Sequence, residues 1–156
     1  MNRLQIREFD DRDSEDYART LLLTLPCDGM DEAWENVKIA KDRSKQEKGE
    51  LWVAKTNGVA IGFMLLEFET ETRNVEIDWL DVHPEYQRHG VDHELVVRAG
   101  ERARAAKCMT LTIHTAVSNT KMRQFARKTG FVESEILPSF WGENTEDAYL
   151  LLKTLD

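Results

Sequence analysis

Asn57-Gly58 stands between two apolar runs, Leu51 to Thr56 and Val59 to Phe68, and restricts the fold of this chain more than any other pair. Both residue types tolerate the left-handed backbone of a two-residue hairpin turn, so the flanking runs are expected to pair as antiparallel strands. A third run, Val75 to Val82, follows the polar link Thr70 to Asn74. The period then changes. Val91, Leu95, Ala99 and Ala103 recur at four-residue steps and form one face of a helix over Val91 to Ala106. Met109 to Thr115 reads as a strand again. A strand–helix–strand passage of this length calls for a right-handed crossover and a parallel pair, so the sheet is mixed.

The remaining elements fit around that centre. Leu4, Ile6 and Phe9 alternate with charged residues, the signature of a half-buried strand. Tyr17, Ala18, Leu21, Leu22 and Leu25 follow Asp13 and Asp16 at helical spacing, and Pro26 ends that helix. Cys27-Asp28-Gly29-Met30 leads into a second helix carrying Trp34, Val37 and Ala40, closed by the polar run from Asp42 to Gly49. Asn119 to Thr129 makes a last helix, with Gly130 as its terminator. Phe131 to Pro138 and Ala148 to Leu155 are the closing strands. The expected architecture is α/β of the α+β mixed kind: a mostly antiparallel central sheet of about six or seven strands with four helices on its faces.

Length and charge narrow the function classes. A chain of 156 residues suits one domain. Lys+Arg 21 against Asp+Glu 29 leaves a net charge of −8, which argues against nonspecific binding to nucleic acid or to an anionic membrane. Cys27 and Cys108 are too few and too far apart for a disulfide framework or a zinc site, and no metal is expected. No run approaches the roughly 20 apolar residues of a membrane span, and Met1 to Asp13 lacks an apolar signal core. A cytoplasmic location is the expectation.

Two motifs carry chemistry. Val82-His83-Pro84-Glu85-Tyr86-Gln87-Arg88-His89-Gly90-Val91-Asp92 ends a strand, turns and opens a helix. A helix N-terminus offers unpaired N–H groups and partial positive charge to a phosphate, and Gly90 lets backbone approach it. The second motif is Asn119-x-x-Met122-x-x-Phe125-x-x-Lys128-x-Gly130-Phe131.

Together these motifs resemble the GNAT (GCN5-related N-acetyltransferase) superfamily, the first its acyl-CoA pyrophosphate turn and the second its last helix with a Gly-Phe exit. The resemblance covers nearly the whole chain in element order. It implies a single acyl-CoA N-acyltransferase-like domain over 1–156, with acetyl-CoA as acyl donor and a primary amine of a small molecule or peptide as acceptor. It also implies cosubstrate contacts from Leu80, Asp81, Val82, Gln87, Arg88, His89, Gly90, Val91, Asp92, Asn119 and Phe125. Strand 75–82 would splay from strand 109–115 and free backbone groups for the pantetheine. Homodimerisation is compatible with the pattern.

Direct transfer to an amine needs a base near neutrality and a donor to the developing oxyanion. By resemblance the donor is a backbone N–H at Val82 or Asp81. Glu76 aligns by spacing with the base of the histone-acetyltransferase members, and His114 with the catalytic Glu of the ribosomal-protein branch. Glu76, Asp78 and His114 are therefore rival candidates, with Asp78 expected on the same strand face as Glu76. Trp34, Phe140 and Trp141 are candidate walls of the acceptor pocket, with Cys27-Asp28-Gly29 at its rim, whereas Trp52 and Trp79 suit strand packing. Two residues depart from the family pattern: Asp92 stands where Gly or Ala is usual, and Ala126 where many members place a proton-donating Tyr. They motivate an alternative, a GNAT-like domain with weak or no catalysis that binds CoA, another ligand or a protein.

Overall fold

The computed structural model describes residues 3–46 and 48–156. Strand β1 (Gln5–Glu8) leads through a short 3-10 turn to α1 (Ser14–Thr24) and α2 (Met30–Ser44). Strands β2 (Gly49–Thr56), β3 (Val59–Glu69) and β4 (Asn74–Val82) follow, then a second 3-10 turn at Pro84–Tyr86 and α3 (Val91–Ala105). The chain finishes with β5 (Thr110–Ala116), α4 (Thr120–Lys128), β6 (Val132–Leu137) and β7 (Ala148–Thr154). The seven strands form one sheet in the order β1-β2-β3-β4-β5-β7-β6, and four α-helices accompany it as expected. The two 3-10 turns were not legible as periodicity. One is closed by a capping box between Asp10 and Asp13, the other starts with Pro84 at its first position.

The chain gathers into two compact units. The first comprises the chain up to Glu67 with Asp78–Arg98, the second Phe68–Ile77 with Ala99–Asp156. In the first unit, Asn57 (φ 52°) and Gly58 (φ 77°) make the turn between β2 and β3, whose register runs from Thr56↔Val59 to Gly49↔Glu67. β1 adds antiparallel to β2, from Gln5↔Lys55 to Glu8↔Trp52. Tyr17, Leu21, Val37 and Ala40 of the two first helices pack on Leu51, Val53, Phe63 and Leu65. Val91 and Leu95 of α3 are buried, and Gly62 of β3 leaves room for them: a Cβ there would lie 2.8 Å from Val91 Cγ1.

In the second unit, β5 pairs antiparallel with β7 from Thr110↔Thr154 to Ala116↔Ala148. β4 joins β5 in parallel at Asn74↔Thr110, Val75↔Leu111 and Glu76↔Thr112. This is the pair that the strand–helix–strand passage demands. Its register puts Asn74 and Glu76 beside Thr110 and Thr112, so four polar side chains meet across one ladder. Among the described residues, no helix is long and apolar enough to cross a membrane.

Candidate active site

The phosphate-type turn lies in the first unit. Gln87 Nε2 donates to Val82 O at 3.1 Å, tying the turn back to the end of β4. His83 Nδ1 accepts from Glu85 N at 3.2 Å. Arg88 (φ 67°) and Gly90 (φ 81°) both adopt the left-handed conformation that reverses the chain into α3. No heavy atom would lie within 4 Å of a Cβ on Gly90, so the space before the helix is open and the glycine is needed for its backbone angle. The first N–H groups of α3, at Val91 and Asp92, belong to the turn that an α-helix leaves without intrahelical partners. This donor set fits a diphosphate. Asp92 complicates the fit, because its Oδ1 already accepts from His93 N at 2.8 Å. Arg88 and His89 are exposed beside it, while Leu80 and Asp81 are half-buried and Val82 is buried.

The second unit holds an ordered chain of side chains. Thr110 Oγ1 donates to Asn74 Oδ1 at 2.8 Å, and Asn74 Nδ2 donates to Thr112 Oγ1 at 2.8 Å. The Thr112 hydroxyl donates to Glu76 Oε1, and His114 Nδ1 lies 2.7 Å from Glu76 Oε2. Glu76 is only 5% exposed, so its carboxylate must be held by donors, and it has two. A hydroxyl that receives the Asn74 amide proton has its own proton to give to Glu76. The carboxylate therefore accepts on both oxygens, which puts the proton of a neutral His114 on Nδ1 and leaves the lone pair on Nε2. Among the described residues, Nε2 has no hydrogen-bond partner. The His114 ring stacks on Phe140 at 4.4 Å with an interplanar angle of 8°.

The other expected residues divide among different partners. Asp78 pairs with Arg43 of α2, whose guanidinium also reaches Glu67 at 3.3 Å. Asp81 meets Tyr17 of α1. Its carboxyl end lies among buried neighbours although the residue is half-buried, and that desolvation pushes its pKa up to about 6 against the pull of the Tyr17 hydroxyl. The fully buried Tyr17 hydroxyl closes no hydrogen bond of ordinary geometry, and burial and then the Asp81 charge push its pKa upward. Asn119 caps α4, with Oδ1 accepting from Met122 N at 3.1 Å. Phe125 is half-buried and Ala126 is fully buried. Trp34, Phe140 and Trp141 are exposed, whereas Trp52 is buried under the Arg98 guanidinium and Trp79 packs on the first core, as strand packing predicts. Sequence reasoning missed Thr112, Asn74 and Tyr17. The first two were discoverable only from the β4–β5 register.

The model of the acetyltransferase (GNAT) family matches residues 10–131, which include both the turn and the Gly-Phe exit. The chain belongs to this acetyltransferase family. None of the curated proteins matches the sequence significantly. Solved structures of GNAT and other acetyltransferases share the fold. A GNAT family acetyltransferase from Elizabethkingia anophelis with acetyl-CoA bound is 23% identical, covers 99% of this chain and 100% of its own, and superposes with a TM-score of 0.74. The ribosomal-protein-S18-alanine N-acetyltransferase from Escherichia coli is 16% identical over 99% of this chain and 95% of its own, with a TM-score of 0.78. An aminoglycoside 6'-N-acetyltransferase complexed with coenzyme A is 17% identical over 96% of both chains, with a TM-score of 0.77.

Proposed function

We propose that this GNAT-family chain is one acyl-CoA N-acyltransferase domain that transfers acetyl from acetyl-CoA directly to a primary amine of a small molecule or peptide. The observation that carries the reading is the Glu76–His114 pair at 2.7 Å, with Glu76 buried and His114 Nε2 left to receive a proton. Two of the three rival base candidates thus become one device, in which Glu76 orients His114 and stabilises the imidazolium that forms. Bound acetyl-CoA supplies a thioester. The amine nitrogen attacks its carbonyl carbon, the C–S bond breaks, and His114 Nε2 takes the proton released by the amine. Ala126 has no proton for the leaving thiolate. A thiol pKa of about 8.5 makes thiolate a tolerable leaving group, and solvent supplies the proton. The N–H groups of Val91 and Asp92 are assigned to the diphosphate, and Val82 or Asp81 N–H to the developing oxyanion.

The second reading, a binding module, draws on the bond from His93 N to Asp92 Oδ1, which satisfies a donor at the diphosphate site with the chain's own anion. One experiment separates the two. Thermal shift with acetyl-CoA and CoA is measured beside thiol release with phenylethylamine, diaminobutane and a peptide bearing a free N-terminal alanine. Enzyme activity predicts stabilisation together with amine-dependent thiol release. Stabilisation without release favours a CoA-binding module, and no stabilisation at millimolar ligand defeats the enzyme reading.

A further inference from the structure

We propose that Phe140 is a positioning residue for the base, held over His114 by a strap between β6 and β7; the inference rests on the reading of His114 above. The strap runs from Pro138 to Asp147. It is anchored at two carboxylates: Ser139 N donates to Asp147 Oδ1 at 3.0 Å, and Ser118 N donates to Glu146 Oε1 at 2.9 Å. Val117 N also donates to Asp147 O at 3.0 Å, so the strap is bound to the segment that leaves β5 just after His114. Within the strap, Gly142 N reaches Ser139 O at 3.1 Å and Thr145 N reaches Gly142 O at 3.1 Å. These bonds close a compact loop with Phe140 and Trp141 at its apex, their rings edge to face at 5.1 Å.

The two contacts on His114 constrain different motions. A hydrogen bond from Nδ1 to Glu76 fixes one direction within the imidazole plane but lets the ring tilt about that line. The parallel Phe140 ring removes the tilt. With both in place, the Nε2 lone pair has a single direction. That matters because proton transfer is steep in geometry, and small misplacements of a reacting group cost large factors in rate. Phe140 is 40% exposed, which is a poor position for a side chain kept only for burial. Stacking on the imidazole supplies a reason for it.

Nitrogen-15 spectra of the His114 ring, with relaxation of its Cε1–H to read the tilting motion, recorded on the full-length wild type, Phe140→Ala and Phe140→Leu, test this without an acceptor. The wild type is expected to show one tautomer, protonated on Nδ1, in a rigid ring, and Phe140→Ala the same tautomer with larger ring motion. Phe140→Leu keeps the apolar bulk and serves if the alanine variant unfolds; it too should free the ring tilt, since a branched chain offers no flat face. Ring relaxation unchanged in the folded variants overturns the proposal. In thiol-release assays with diaminobutane, Phe140→Ala should lower kcat on the order of tenfold, leave the KM for the amine within about twofold, and be rescued by Phe140→Trp. The same change made in His114→Ala should cost nothing more. A loss that persists undiminished in His114→Ala, or that falls on KM alone, makes Phe140 a wall of the acceptor pocket and refutes the positioning role. A His114→Ala enzyme with wild-type rate sinks the base assignment instead, while the ring spectra still report whether Phe140 orients His114.

Discussion

Two carboxylates on β4 show how residues of one type acquire different roles from what surrounds them. Among the described residues, Glu76 has two donors and no cation other than the one its histidine can become. Glu76→Gln keeps the shape but removes the charge that fixes the His114 tautomer. The expected result is a kcat lower on the order of a hundredfold with acetyl-CoA affinity unchanged, checked by steady-state rates beside a CoA titration. An undiminished rate would show that His114 needs no carboxylate to act as base. Asp81 is raised to about 6 from 3.8 because burial disfavours its charge. The folded state therefore holds a proton that the unfolded chain has released between about pH 4 and 6, so this group's stabilising contribution is complete below that window and declines as pH rises through it. Denaturation of wild type and Asp81→Asn across those pH values should give curves that diverge through the window, the wild type losing stability relative to the variant. Parallel curves would show that the carboxyl is not desolvated. Nothing in the sequence marks Tyr17 as the neighbour of Asp81. They are 64 positions apart (81 − 17), and only packing of α1 brings the phenol there.

At the scale of elements, periodicity was a good guide wherever one face of a helix or strand is buried. The β2–β3 hairpin was legible because Asn57-Gly58 supplies both left-handed angles, and α3 because Val91 and Leu95 repeat at a helical step. Ends were legible where a side chain caps them, as Asn119 does for α4. The seat of α3 depends on a residue that no periodicity signals. Gly62 carries no side chain at the one place where a Cβ would lie 2.8 Å from Val91 Cγ1 and 3.2 Å from Leu95 Cδ1. Gly62→Ala is expected to cost about 1–3 kcal/mol of stability, by displacement of the helix start, and to weaken acetyl-CoA binding in parallel. Urea denaturation and a CoA titration on the same variant check both. Lost stability with intact binding would separate the seat of α3 from the diphosphate site.

For the whole molecule, the net charge of −8 makes a field that opposes a polyanionic cosubstrate. At the turn proposed for the diphosphate, exposed Arg88 is a local positive charge. The long-range term is the one that governs encounter, and salt screens it, so the association rate of acetyl-CoA measured by stopped flow should rise with ionic strength. A rate that falls with salt would mean that the turn's own positive charge dominates the approach. The sequence by itself determined the element order, the hairpin, the parallel crossover and the membership signalled by the turn and the Gly-Phe exit, because each of these is a local pattern of size, polarity and backbone freedom. Tertiary structure alone decided which polar groups meet. Glu76 and His114 stand 38 positions apart, and the β4–β5 register makes them one pair while α2 draws Asp78 away to Arg43. The physical reason is that a strand presents its side chains at a fixed two-residue step but leaves the choice of neighbour to register. Register is set by the burial of the whole ladder, not by any residue in it.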